Sequence, residues 1–130
     1  MEHLFVYGTL RKTAGHSMNR VLEQHAEWLG EATLQGKLYL IDWYPALIRS
    51  DHSMEQVKGE VYRLHQPERI FAELDPYEGY YPHDEDHSDY LRRIEPVRLA
   101  DGTPLRSWVY LYNLPVLGLT RIPSGDFFQR

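Results

Sequence analysis

The sequence predicts an α+β fold: a small mixed, mostly antiparallel β-barrel of five or six strands with two or more short flanking helices. Three observations lead there. Runs rich in β-branched and aromatic residues recur at 4–6, 27–41, 57–64, 90–99 and 105–112. Irregular turns and one strong hairpin signal, Asp101-Gly102, separate them. Only two stretches carry helical spacing. Strands that dominate, joined by hairpins and turns, favour a closed antiparallel arrangement.

The elements follow in order. Leu4, Phe5 and Val6 read as a buried strand, broken by Tyr7-Gly8-Thr9. Arg11, Lys12 and Gly15 read as a loop. Ser17 is placed to cap a helix whose face is Met18, Val21, Leu22 and His25, at i, i+3, i+4 and i+7. From Glu27 to Ile41 the period drops to two, with Gly36 as an expected bulge. Asp42 to Pro45 reads as an aromatic turn, and Ala46 to Arg49 as a short strand. The Tyr44-Pro45 bond is a place where a cis peptide is allowed. Val57 to Leu64 is a strand. Pro67 suits the first turn of a helix with Ile70, Phe71 and Leu74 inward. That helix is expected to stop near Asp75, because Pro76 disfavours helical geometry in the residue before it. Tyr80 to Asp89 reads as a polar, acidic loop. Tyr90 to Leu99 is a strand with Pro96 at an edge or bulge. Leu105 to Tyr112 returns with Trp108, Tyr110 and Tyr112 on one face.

Composition narrows the function. The 130 residues fit a single domain, 1–130, with one real core. No apolar run reaches the ~20 residues of a membrane span, and Met1-Glu2-His3 does not open a signal peptide. A cytoplasmic location is the default expectation. With no cysteine there is no thiol nucleophile and no thiolate metal site. A net charge of −5 without a dense Lys/Arg run argues against nucleic acid as a partner. Ten tyrosines supply flat apolar walls with polar tips, which suits a small-molecule pocket as well as a core.

Two stretches carry candidate chemistry. A strand ending in Tyr7-Gly8-Thr9-Leu10 clusters backbone N–H groups, a cradle for a carboxylate, though such a turn is also ordinary. Glu78 follows an apolar helix face and sits among Tyr77, Tyr80 and Tyr81. Aromatics around a carboxyl favour its neutral form and bring it toward a neutral pKa, where it gives and takes a proton. The alternative is an exposed loop acid beside core tyrosines. The segment from His83 to Asp89 holds metal-ligand residue types without the spacing of a metal motif, which matches a solvated surface better. Arg92 and Arg93 are able to hold a carboxylate or to pair with an internal acid. Gly-x-Ser-x-Gly and Walker-type loops are absent.

Together these segments resemble the gamma-glutamylcyclotransferase-like family. The resemblance rests on Phe5-Val6-Tyr7-Gly8-Thr9-Leu10-Arg11, Tyr44-Pro45-Ala46 and Val57-Lys58-Gly59-Glu60-Val61-Tyr62. It continues through Leu74-Asp75-Pro76-Tyr77-Glu78-Gly79-Tyr80, Tyr90-Leu91-Arg92 and Trp108-Val109-Tyr110. It implies a cofactor-independent, metal-free enzyme that cyclises a gamma-glutamyl group to 5-oxoproline and releases an amine. Tyr7, Gly8, Thr9 and Leu10 then bind the glutamyl moiety, Glu78 is the catalytic acid and base, and Tyr90 and Arg92 support the pocket. Three departures stand out. Thr9 replaces a frequent serine, Phe127 replaces a frequent tryptophan, and the acidic loop between Tyr81 and Asp89 has no counterpart. The competing readings are a non-catalytic or differently catalytic binding barrel of the same fold, and a metal-dependent hydrolase built on the acidic loop.

Overall fold

The computed structural model describes residues 1–12, 14 and 17–130. The loop expected at Gly15 lies outside the described residues. Among these residues seven strands and two α-helices follow in the order β1 (His3–Val6), α1 (Asn19–His25), β2 (Ala26–Ile41), β3 (Tyr44–Arg49), β4 (Gln56–Leu64), α2 (Pro67–Tyr77), β5 (Tyr90–Leu99), β6 (Pro104–Tyr112) and β7 (Thr120–Arg121). Five strands close a mixed barrel in the order β2-β4-β1-β6-β5, with β5 returning to β2 through Ala32–Leu99 and Thr33–Arg98. Among the described strands only β1 and β6 run parallel, meeting at Leu4 and Trp108. The expected barrel is therefore present.

The length of β2 explains the two extra strands. Its first part pairs with β4, while Gly36 to Ile41 run on beyond the barrel and pair with β3. The bulge expected at Gly36 is not there. Gly36 is in register with Arg49, and the register with β4 slips between Trp28 and Gly30 instead. Gly36 serves close approach: a Cβ would lie 2.7 Å from the Ile48 carbonyl oxygen. Strand β3 starts at Tyr44, two residues early, because Pro45 pairs opposite Leu40 on an edge that needs no N–H there. The Tyr44–Pro45 peptide is trans. Pro96 lies where β5 meets β6 alone, since β2 reaches β5 only at Arg98 and Leu99.

Side chains alternate across β1 and divide the molecule into two cores. Phe5 and Tyr7 enter the barrel interior with Leu34, Val57, Val61 and Val109. Leu4 and Val6 face outward and are covered by Leu22 of α1 and Ile70 and Leu74 of α2. Trp108, Tyr110 and Tyr112 join this outer core.

Both helices differ at their ends from the sequence expectation. Helix α1 begins at Asn19 after Met18, and no side chain caps it; Ser17 contributes its carbonyl, which accepts the Arg20 N–H at 3.1 Å. Helix α2 continues past Asp75 to Tyr77 with Pro76 in its last turn. It stops at Gly79, whose φ of 71° is left-handed. The Tyr80 N–H bonds the Asp75 carbonyl at 2.8 Å and the Gly79 N–H bonds that of Pro76 at 3.1 Å, the paired closure of a Schellman end. Glycine supplies the stop that proline was expected to enforce two residues earlier.

The acidic segment is built rather than loose. Glu85 accepts both Arg93 nitrogens, at 2.8 and 3.1 Å, and the Tyr80 hydroxyl at 3.0 Å. The Asn113 amide ties down the carbonyls of Glu85 and Ser88, both at 3.0 Å. Among the described residues no group of acids and histidines is placed to hold a metal ion.

Candidate active site

The turn after β1 is held from three sides. Pro45 packs over Gly8 so closely that a Cβ there would meet the ring at 2.5 Å. The Tyr7 hydroxyl donates to the Tyr110 carbonyl at 2.5 Å, and the Asn19 amide donates to the Leu10 carbonyl at 2.7 Å. Arg11 closes the turn with its N–H on the Gly8 carbonyl at 3.1 Å. Its guanidinium bridges Glu60 (3.2 Å) and Asp126 (2.8 Å) in the interior, beneath the Phe128 ring. The carboxyl-terminal segment thus pins the amino-terminal turn. The N–H groups of Gly8, Thr9 and Leu10 have no protein acceptor among the described residues.

The two distant motifs meet. Thr9 Oγ1 lies 3.0 Å from the Tyr77 hydroxyl at the end of α2. Tyr7, Gly8, Thr9, Leu10, Glu78 and Tyr90 all line one cavity of about 420 Å³, with Tyr44, Pro45, Asp89 and Tyr110. Glu78 directly follows the last residue of α2, and its carboxyl accepts no hydrogen bond from the described residues. Burial, and secondarily the charge of Asp75, push that carboxyl up to about 8. The negative end of α2 acts in the same direction. Tyr7, Tyr90 and Tyr110 are driven far above the ordinary phenol range, chiefly by burial, so they remain hydroxyl donors. Tyr90 donates to the Pro45 carbonyl at 2.6 Å.

Arg92 is not in the cavity wall. It grips Asp75 with two bonds, at 2.9 and 3.1 Å, and stacks on Phe71 (3.8 Å) and Trp108 (4.5 Å) on the outer side. Asp75 in turn accepts the Tyr110 hydroxyl at 2.7 Å. Arg92 therefore reaches the cavity only through Asp75 and Tyr110. Sequence reasoning gave no role to Asp75, Tyr110 or Asp89. Asp75 stood three residues before Glu78, one helical turn away, and that spacing was the available signal.

The fold and this site define a small mixed barrel with a tyrosine-lined cavity at the end of its first strand, into which the Glu78 carboxyl is set. The family model "Gamma-glutamyl cyclotransferase, AIG2-like" matches residues 4–129, and the chain belongs to that family. It is 33% identical over 129 residues to the gamma-glutamylcyclotransferase family protein YtfP of Escherichia coli, covering 98% of this chain and 96% of that one. YkqA of Bacillus subtilis superposes with a TM-score of 0.71 at 25% identity, over 96% of this chain but only 39% of that longer one. An AIG2-like protein from Mus musculus shares the fold, with a TM-score of 0.71 at 23% identity over 95% of this chain and 86% of its own. Among the described residues no helix is long and apolar enough to cross a membrane.

Proposed function

We propose that this protein is a gamma-glutamylcyclotransferase that converts a gamma-glutamyl amine to 5-oxoproline and the free amine, with Glu78 moving the proton. One observation carries the reading: the Glu78 carboxyl, which takes no hydrogen bond from the described residues and is pushed up by burial, shares a cavity with the N–H groups of the Gly8–Leu10 turn, which have no acceptor among them. The substrate's α-ammonium beside Glu78 favours the carboxylate and gives up a proton to it. The amine nitrogen attacks the side-chain amide carbon. As the ring C–N bond forms, Glu78 passes this proton to the leaving nitrogen and the bond to that nitrogen breaks; the carboxylate then takes the second proton from the ring nitrogen and hands it to the departing amine, which leaves as an ammonium. No water is consumed. The turn's N–H groups hold the α-carboxylate or the developing oxyanion, and folding the substrate back on itself supplies much of the acceleration.

The test is an assay for 5-oxoproline with gamma-glutamyl amines. Wild type is expected to release it. Glu78→Gln is expected to lose at least about 100-fold in kcat while keeping the circular dichroism spectrum of the fold. Full activity in Glu78→Gln removes that residue from the chemistry, and no product from any gamma-glutamyl donor removes the reaction.

A further inference from the structure

The cavity wall changes character from floor to mouth. Tyr7, Tyr110 and the turn form the buried floor. Exposed lining residues include Trp43, 59% accessible, Tyr81, 49% accessible, Pro76 and Asp89. Asp89 is fixed at this place by its backbone. Its N–H bonds the Gly79 carbonyl at 2.9 Å and its own carbonyl accepts the Asn113 N–H at 2.8 Å. Its Oδ2 lies 3.2 Å from where a Gly79 Cβ would stand, so the glycine leaves the space that the carboxylate uses. Asp89 has no ion-pair or hydrogen-bond partner for its side chain among the described residues. None of the described lining residues is Lys, Arg or His. A carboxylate that shares a cavity with exposed aromatic rings, and that has no partner among the described residues, attracts a cation twice, by charge and by the ring quadrupole.

We propose that this mouth is a subsite for a positively charged leaving amine, so that the preferred donors are gamma-glutamyl conjugates of aliphatic diamines. The inference rests on the cyclotransferase reading for its turnover, though not for binding. The glutamyl part occupies the floor, and the distal ammonium sits between Asp89 and the rings of Trp43 and Tyr81. Leaving amines that carry a carboxylate, such as amino acids and peptides, bring a like charge to Asp89 and meet no cationic residue among the described lining residues.

Three gamma-glutamyl donors of equal length separate the possibilities: the conjugates of 1,5-diaminopentane, n-hexylamine and 6-aminohexanoate. Their ends are cationic, neutral and anionic. The expected order of kcat/KM is cationic over neutral over anionic, with about tenfold at each step, shrinking as salt rises. Asp89→Asn is expected to bring the cationic-to-neutral ratio close to one and to relieve the anionic penalty. A loss of turnover shared equally by all three donors would be a structural effect and counts against the subsite. Calorimetric binding of the same donors to Glu78→Gln reads the charge order without turnover. Absence of 5-oxoproline with the charge order intact in binding defeats the proposed reaction alone. Equal affinity for the three, or preference for the carboxylate, overturns the subsite and leaves the reaction standing.

Discussion

Glu60 and Glu78 are both withdrawn glutamates in the same small molecule, yet they are treated in opposite ways. The Glu60 carboxylate collects donors: Arg11 Nε at 3.2 Å, the Lys12 N–H at 2.9 Å and Trp28 Nε1 at 3.2 Å. Glu78 collects none among the described residues, and the charge that bears on it is another carboxylate, Asp75. Burial alone therefore does not distinguish a structural acid from a reactive one. The donors around it do, because a charge removed from water must either be paired or be given up to a proton.

The largest expected effect breaks the paired side of that comparison. Arg11→Ala leaves Glu60 and Asp126 facing each other with their shared cation gone, and the turn that Arg11 closes loses its anchor. Removing one partner of a buried ion pair costs about 3–5 kcal/mol. A urea titration at neutral pH is expected to show that loss in unfolding free energy, and a change under 1 kcal/mol would mean that the bridge does not hold the turn.

The same comparison explains how far the sequence could be read. Strand β1, the turn after it and Glu78 were legible because their signals are local: a hydrophobic run, a glycine, an acid among tyrosines. So was the β5–β6 hairpin, through Asp101-Gly102. The partners were not. Asp126 meets Arg11 across 115 positions of sequence, and nothing local marks either as half of a pair. The family resemblance placed Tyr90 and Arg92 together as pocket support. The structure covers Arg92 with α2, and Asp75 takes its charge. The partner of Glu85 was hidden for the same reason: its bonds to Arg93 order a segment that composition alone reads as solvated. The bulge fell at Leu29 and not Gly36 because close approach and bulging both call for glycine, and only the neighbouring strand decides between them.

A smaller effect sharpens the unpaired side. The Glu78 carboxyl rises from its ordinary 4.5 to about 8 in the folded protein. The folded state then binds this proton more tightly than the unfolded chain. That preference contributes its full stability below the unfolded pKa and is lost as pH climbs through the folded value. Glu78→Gln carries no such loss. Its melting temperature is expected to gain on wild type between about pH 4.5 and 8 and to hold a constant lead above that. Because the carboxyl borders an open cavity, the lead corresponds to about 1–2 kcal/mol, or roughly 3–6 °C for a chain of this size. A lead that is constant from pH 4 to 9 would mean that Glu78 has no raised pKa.

The finest effect concerns Asp75, which stands between the two regimes. It is paired on its outer side by Arg92 and bonded on its inner side by Tyr110, while its charge raises Glu78. Asp75→Asn removes the charge and leaves an amide oxygen that still accepts the Tyr110 hydroxyl. The carboxylate of Glu78 becomes easier to form, so the acidic limb of kcat/KM against pH is expected to move to lower pH. Arg92→Gln does the reverse. It leaves the Asp75 charge less neutralised, and the limb is expected to move to higher pH. Loss of packing alone lowers activity at every pH without moving either limb, and it has no reason to move the two in opposite directions. Opposed shifts make Asp75 a positioning residue that sets when Glu78 holds its proton. Shifts of the same sign, or none, leave the Arg92–Asp75 pair as a strut between β5 and α2.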